Sequence, residues 1–157
     1  MTPILEHVSG SDLPALVALE RAGQAHPWSE ASLRQACEDE RTWVLGAFAA
    51  HDRQVLLGFA SFYRLPFDTE LQAITVLPEV RRQGVAGRLL RAGIEQARCW
   101  DSERLLLEVR ASNRAAIGLY EQAGCGHDGV RRGYYAKAQG AREDALLMSL
   151  TLGAGKA

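Results

Sequence analysis

Cysteine is scarce in this sequence: three residues in 157, at positions 37, 99 and 125. No two of them have the spacing of a metal-ligand pair or a redox motif, so a zinc module and a disulfide framework are both excluded. An odd count of widely spaced thiols reads as reduced, mostly buried cysteine in a cytosolic protein. Long apolar runs are also missing. None approaches the ~18 residues that a membrane span needs. The start, Met-Thr-Pro-Ile-Leu-Glu-His, has neither the basic opening nor the apolar core of a secretory leader. Excess charge is absent too: a net charge of −1 argues against a general nucleic-acid binder. No internal repeat is present. The expectation is therefore a cytoplasmic protein with no metal, no direct nucleic-acid partner and no membrane. The length and an apolar content of 47% fit one domain over residues 1–152, with 153–157 as a frayed tail.

The stretch Ile74–Leu90 carries the strongest local pattern. An apolar strand stops at Pro78 and an arginine-bearing turn follows. Gly84, Ala86 and Gly87 then open a helix whose apolar positions are Ala86, Leu89, Leu90, Gly93, Ile94 and Ala97, one face of a 3.6-residue period. The first turn of a helix has N–H groups with no intrahelical acceptor, and its dipole favours an anion there. Small side chains let the anion approach, and Arg81, Arg82 and Arg88 add positive charge. The stretch reads either as a diphosphate cradle or as a solvated arginine face beside a tight turn. It lacks the Gly-Lys-Ser/Thr of a nucleoside-triphosphate loop and the Gly-x-Gly-x-x-Gly of a dinucleotide fold.

Elsewhere the patterns predict a strand at Ile4–Val8 and a helix capped by Ser11 or Asp12. Leu13, Leu16, Val17 and Glu20 share one side of that helix. Pro27 ends it, and Ser29 caps a second helix to about Glu38. Trp28, between the two, reads as a core anchor or as the wall of a substrate groove. Strands follow at Trp43–Ala50, Val55–Arg64 and Phe67–Leu77. In the strand Leu105–Val109, Leu105, Leu107 and Val109 share one face, and Leu106, Glu108 and Arg110 share the other. Ser112 or Asn113 caps a helix that ends at Gly124. Inside it, Gly118 suggests that something approaches the backbone closely. Final strands are expected at Cys125–Arg132 and Ala145–Leu152, joined by a connection rich in Tyr, Gly and Arg. This β-α-α-β-β-β-α-β-α-β-β order gives an α/β fold with a mixed sheet and helices on its faces.

Arg81-x-x-Gly84-x-Ala86 resembles the acyl-CoA pyrophosphate loop of the GNAT acetyltransferases. The segment Leu107–Asn113 with Ala116–Glu121 resembles the second half of the GNAT core. His26–Glu30, Arg131–Tyr135 and Arg142–Ala145 are similar to the RimI branch, the ribosomal-protein-alanine N-acetyltransferases. The resemblance spans about residues 4–152. Gly124-Cys125 departs from the usual Gly-Phe.

The resemblance implies the GNAT fold, a mostly antiparallel mixed sheet with one splayed parallel strand pair and helices on both faces. It implies acetyl-CoA between those strands, with main-chain groups of Ile74, Thr75 and Val76 along its pantetheine arm. Arg81, Arg82, Gln83, Gly84, Val85, Ala86, Gly87 and Arg88 would hold the pyrophosphate, and Asn113 and Tyr120 would touch the cofactor. Glu108 would be the base and Tyr120 the acid. Trp28, Tyr134 and Tyr135 would border the acceptor groove. The implied partner is a protein or peptide, a small-subunit ribosomal protein N-terminus, acted on by a monomer. From the residues alone, Glu108 reads rather as an ion-pair partner of Arg110 or another basic group, Tyr120 as core packing and Asn113 as a helix cap. Two other functions stay open: acetylation of a lysine side chain or small amine, and acyl-CoA sensing without turnover.

Overall fold

The computed structural model describes residues Thr2–Gly153; of the tail expected at 153–157, all but Gly153 lies outside the described residues. Strands β1 (Ile4–His7), β2 (Thr42–Ala49), β3 (Asp52–Arg64), β4 (Asp68–Val76), β5 (Arg104–Arg110), β6 (Gly126–Ala136) and β7 (Arg142–Thr151) form one sheet. Their order is β1-β2-β3-β4-β5-β7-β6, and only β4 and β5 run parallel. Helices α1 (Leu13–Gly23) and α2 (Glu30–Glu38) cover one face. Helices α3 (Val85–Cys99) and α4 (Arg114–Gln122) cover the other.

Each face has its own core, as the two-residue alternation of strands requires. Val44, Phe48, Leu56 and Phe59 pack beneath α1 and α2 with Leu13, Leu16, Val17 and Leu33. Leu45, Ala60, Phe62, Leu105, Leu107 and Val109 pack beneath α3 and α4. Helix α3 buries Val85, Leu89, Leu90, Gly93, Ile94 and Ala97. Each large member of that stripe contributes about 1.5–3 kcal/mol of burial. A Cβ at Gly93 would stand 1.9 Å from the Phe62 ring, so the sheet and the helix meet where only glycine fits.

The sequence expectations hold for element type and order. Strand β6 is longer than expected, so Tyr134 and Tyr135 lie in a strand and not in a connection. The apolar stripe of α3 starts at Val85, with Ala86 only half-buried. No atom lies within 4 Å of a Cβ built at Gly118, so no protein group makes the close approach expected there.

The feature that positions the site is a break between β4 and β5. Their pairing runs from Asp68–Arg104 to Leu71–Leu107 and then stops. Beyond it, β4 stays bonded to β3 as far as Val76–Gly58, and β5 stays bonded to β7 as far as Arg110–Ala145. The two strands are thus held on their outer sides while a gap opens between them. The break coincides with a bulge. Phe62 opposes Leu71 and Ser61 opposes Ala73, which leaves Gln72 as an extra residue in β4. A bulge bends and twists its strand and shifts the side-chain alternation by one. Accordingly Leu71 packs under α3 and α4, while Ala73, two residues on, packs with the α1/α2 core.

Candidate active site

The turn after β4 is shaped by its backbone. Pro78–Val80 makes one 3₁₀ turn. Arg82 and Gly84 then take left-handed conformations, at φ 66° and 82°. Such turns direct successive N–H groups into a concave, anion-binding nest. Gly84 caps α3 without a side-chain hydrogen bond. Among the described residues, the N–H groups of residues 82 to 87 have no acceptor; the first to find one is Arg88, which donates to Gly84 O at 3.1 Å. A Cβ built at Gly84 would meet no atom within 4 Å, and one at Gly87 only the Arg91 tip at 3.8 Å, so the approach is open. A diphosphate fits this donor set.

The three arginines do different things. Arg81 donates from Nη2 to Gly23 O at 2.7 Å and from Nε to Val76 O at 3.3 Å, which braces the turn against α1 and β4. Arg88 donates to Pro3 O at 2.6 Å. Arg82 is exposed and its guanidinium has no partner among the described residues, so its charge is free for an anion.

Main-chain groups of β4 line the gap. Leu77 N–H donates across to Leu57 O of β3 at 2.9 Å. Because a trans peptide is planar, Val76 C=O points the other way, into the gap, and Ile74 follows by the two-residue period. From the gap side, Gln24 Nε2 donates to Ile74 O at 3.2 Å. Thr75 points its side chain away from the gap, into the α1/α2 side, where its hydroxyl is buried.

A cavity of ≈ 160 Å³ occupies the gap, lined among others by Gln24, Gln72, Ile74, Glu108, Asn113, Tyr120 and Tyr135. Glu108 enters it from the α1/α2 face, because its neighbours Leu107 and Val109 fill the opposite core. Tyr120 enters from the other face, as a member of that core. Tyr120 is thus packed, at 5% exposure, and also lines the cavity. Burial pushes its phenol well above the ordinary value near 10, so it is protonated at neutral pH. Asn113 caps α4, accepting from Ala116 N–H at 3.2 Å, and still lines the cavity. Cys125 is buried and its thiol is pushed up by that burial, which leaves little thiolate at neutral pH.

Glu108 pairs with Arg131, at 3.4 Å, and not with its strand neighbour Arg110. Arg110 instead joins β5 to β6 and β7. Its Nη1 donates to Glu143 Oε1 at 3.0 Å and to Ala136 O at 3.3 Å, and its guanidinium lies 4.3 Å from the Tyr135 ring centroid. Glu143 Oε2 accepts from Ser112 N–H at 3.1 Å. The Ser112 and Arg110 hydrogen bonds hold the Glu143 carboxyl down at about 2. Tyr134 stacks edge-on against Tyr135 at 5.1 Å. Gly133, at φ 59°, donates its N–H to Asp144 Oδ1 at 2.9 Å and fixes the strand irregularity that presents both rings. Tyr135 faces the cavity, whereas Tyr134 is largely exposed. Trp28 lines a second, larger cavity of ≈ 350 Å³ with Ser32, Gln35, Asp39, Thr42 and Tyr63. Gln72, the bulge residue, borders both cavities.

Sequence reasoning missed Gln24, Gln72, Glu143 and the hydrogen bonds of Glu20. Glu20 lies on the buried side of α1, as its spacing shows, but nothing in the spacing names its partners. Of the expected residues, Ile74, Glu108, Asn113, Tyr120 and Tyr135 line one cavity; Thr75, Val76, the cradle at 81–88, Trp28 and Tyr134 are not part of its lining. Among the described residues no cluster of three or more His, Cys, Asp or Glu is placed to hold a metal ion, and no helix is long and apolar enough to cross a membrane.

Residues 13–126 match the model of the Acetyltransferase (GNAT) family. The chain is 38% identical over 145 residues to the [ribosomal protein bS18]-alanine N-acetyltransferase of Salmonella typhimurium, covering 92% of this chain and 95% of that one. The crystal structure of the ribosomal-protein-S18-alanine N-acetyltransferase from Escherichia coli superposes with a TM-score of 0.87 at 33% identity, over 95% of this chain and 93% of that one. Arabidopsis thaliana NAA60 in complex with acetyl-CoA shares the fold, with a TM-score of 0.85 at 17% identity and coverage of 97% and 99%. Matched over most of its length in sequence and nearly all of it in structure, the chain belongs to the GNAT family of acetyltransferases.

Proposed function

We propose that this protein transfers the acetyl group of acetyl-CoA to the N-terminal α-amine of a ribosomal protein, an alanine amine, by direct attack in a ternary complex. The observation that carries the reading is the cavity in the β4–β5 gap. Glu108 and Tyr120 line it from opposite faces of the sheet, and the turn with the N–H nest follows the end of β4, whose Ile74 lines the same cavity. The acceptor identity rests on the named relatives in Salmonella and Escherichia coli.

Arg82, the N–H groups of residues 82 to 87 and the dipole of α3 hold the pyrophosphate, while Arg81 keeps the turn in place. The main-chain groups of Ile74 and Val76 hold the pantetheine arm as a neighbouring strand would. Asn113 contributes its free amide on the far side. Glu108, directly or through water, takes a proton from the acceptor ammonium, since only the free amine is a nucleophile. The amine nitrogen forms a bond to the acetyl carbon, and gap-facing N–H groups of β4 stabilise the oxyanion. As the carbon–sulfur bond breaks, the Tyr120 phenol gives its proton to the leaving thiolate, and the surplus proton that the attacking nitrogen loses as the amide forms restores the phenol. Tyr135 and Trp28 flank the acceptor. The larger cavity beyond Gln72 offers room for residues that follow the reacting one, which favours a polypeptide over a small amine.

The test is to incubate the protein with acetyl-CoA and an alanine-starting ribosomal peptide and locate the added mass. Acetylation at the α-amine is expected. Modification of lysine side chains alone, or none, would overturn the reading.

A further inference from the structure

Glu20 is 2% exposed and both its carboxyl oxygens accept hydrogen bonds from neutral donors. Oε2 accepts from Trp28 N–H at 2.9 Å, and Oε1 accepts from Thr75 Oγ1 at 2.7 Å. Thr75 Oγ1 in turn accepts from Gln24 Nε2 at 2.9 Å, and the same amide reaches Ile74 O at 3.2 Å. No ion pair to Glu20 occurs among the described residues. Burying a carboxyl whose only partners are neutral costs desolvation that an apolar side chain of similar volume would not. Its placement is specific. One oxygen holds the loop that carries Trp28, on the acceptor side. The other holds Thr75, which lies between the two β4 residues whose main chain faces the gap. Gly23, at the end of the same helix, has room only for hydrogen: a Cβ there would meet Thr75 Cγ2 at 2.5 Å. Helix α1 and β4 are therefore locked together at this point.

We infer that Glu20 is a positioning residue that couples the cofactor strand to the acceptor wall, so that a ligand paired along Ile74–Val76 steadies the Trp28 loop. The inference rests on the reading of the gap as the acetyl-CoA site. It acts through two hydrogen bonds on one side chain, so cutting either should uncouple the two substrates while each site survives.

The test follows the Trp28 backbone amide by NMR as CoA is added, in the wild type, Glu20→Met, Glu20→Gln and Thr75→Val, with calorimetry reporting CoA binding to each. The wild-type amide is expected to shift and to exchange more slowly with CoA bound. Glu20→Met keeps the volume and loses both hydrogen bonds, so its Trp28 amide should not respond although CoA still binds. Thr75→Val, which cuts only the β4 bond, should also silence it, and it decides the matter if Glu20→Met fails to fold. Glu20→Gln keeps an acceptor for Trp28 and a donor for Thr75, so it should restore the response. With the alanine peptide, Glu20→Met should raise the acceptor KM at least about tenfold with less change in kcat. A Trp28 amide that ignores CoA in the wild type, or responds equally in Thr75→Val, overturns the inference while leaving the acetyl-CoA reading intact. Failure of the wild type to bind CoA overturns both.

Discussion

The two sides of the gap are built from different materials. The α3/α4 side uses main chain and small residues: an N–H nest between Arg82 and Gly87, the edge of β4 and one buried phenol. The α1/α2 side uses side chains drawn from six parts of the chain: Glu20 and Gln24 at α1, Trp28 before α2, Gln72 of β4, Glu108 and Arg110 of β5, Tyr135 of β6 and Glu143 of β7. Backbone donors suit a ligand that never changes, because a main chain varies little with sequence. Side-chain networks suit a ligand that distinguishes one protein from its relatives. Substitutions on the two sides should accordingly move different kinetic constants.

The largest effects belong where both sides converge. Tyr120→Phe and Glu108→Gln should each lower kcat by about 10²–10⁴-fold, the usual range for a proton-transfer group, with acetyl-CoA affinity nearly unchanged. Steady-state kinetics with calorimetric CoA titration checks this; equal losses in kcat and CoA affinity would break the division. On the backbone side, Gly84→Val forces a β-branched residue to φ 82°, and a left-handed L-residue costs about 1–2 kcal/mol. Part of that should appear as a rise in the acetyl-CoA KM of about tenfold per 1.4 kcal/mol, with the acceptor KM held.

On the side-chain side, Arg110→Met removes the group that joins Glu143, Ala136 and Tyr135. A small misplacement of a positioning wall can reduce kcat/KM for the acceptor by up to about 10²-fold. The acetyl-CoA KM should stay put. The pH response sharpens the same point. The folded Glu143 carboxyl sits at about 2, below its ordinary 4.5. It therefore contributes stability that is present above pH 4.5 and lost as pH falls toward 2. Acid titration followed by circular dichroism should show a shallower loss over that window in Glu143→Gln. Smallest of all, Asn113→Ala should cost about 1 kcal/mol through loss of the α4 cap, seen as a lower melting temperature.

This division also explains what was legible in the sequence. The cradle is contiguous: Arg81, Gly84, Ala86 and Gly87 lie within seven residues, so one local motif announces it. The face of Glu108 follows from strand alternation alone. The acceptor wall is different. Arg110 and Glu143 stand 33 positions apart and Glu20 and Thr75 stand 55 apart, and only the folded sheet brings them together. The bulge at Gln72 is illegible for another reason. It inverts the alternation of β4 midway, and a pattern that assumes a constant period runs through it unnoticed. Ser61 of β3, opposite the bulge, has a buried hydroxyl without a partner among the described residues, a polar cost localised where β4 begins to part from β5.

The central claim is that main-chain donors at the mouth of the β4–β5 gap hold the coenzyme independently of the acceptor wall. Calorimetric titration of CoA into the wild type, Gly84→Val and Arg110→Met tests it most directly. One-site binding that weakens several-fold, up to about tenfold, in Gly84→Val and is unaltered in Arg110→Met is the expected result. Equal weakening in both variants, or no heat in the wild type at millimolar CoA, would contradict it.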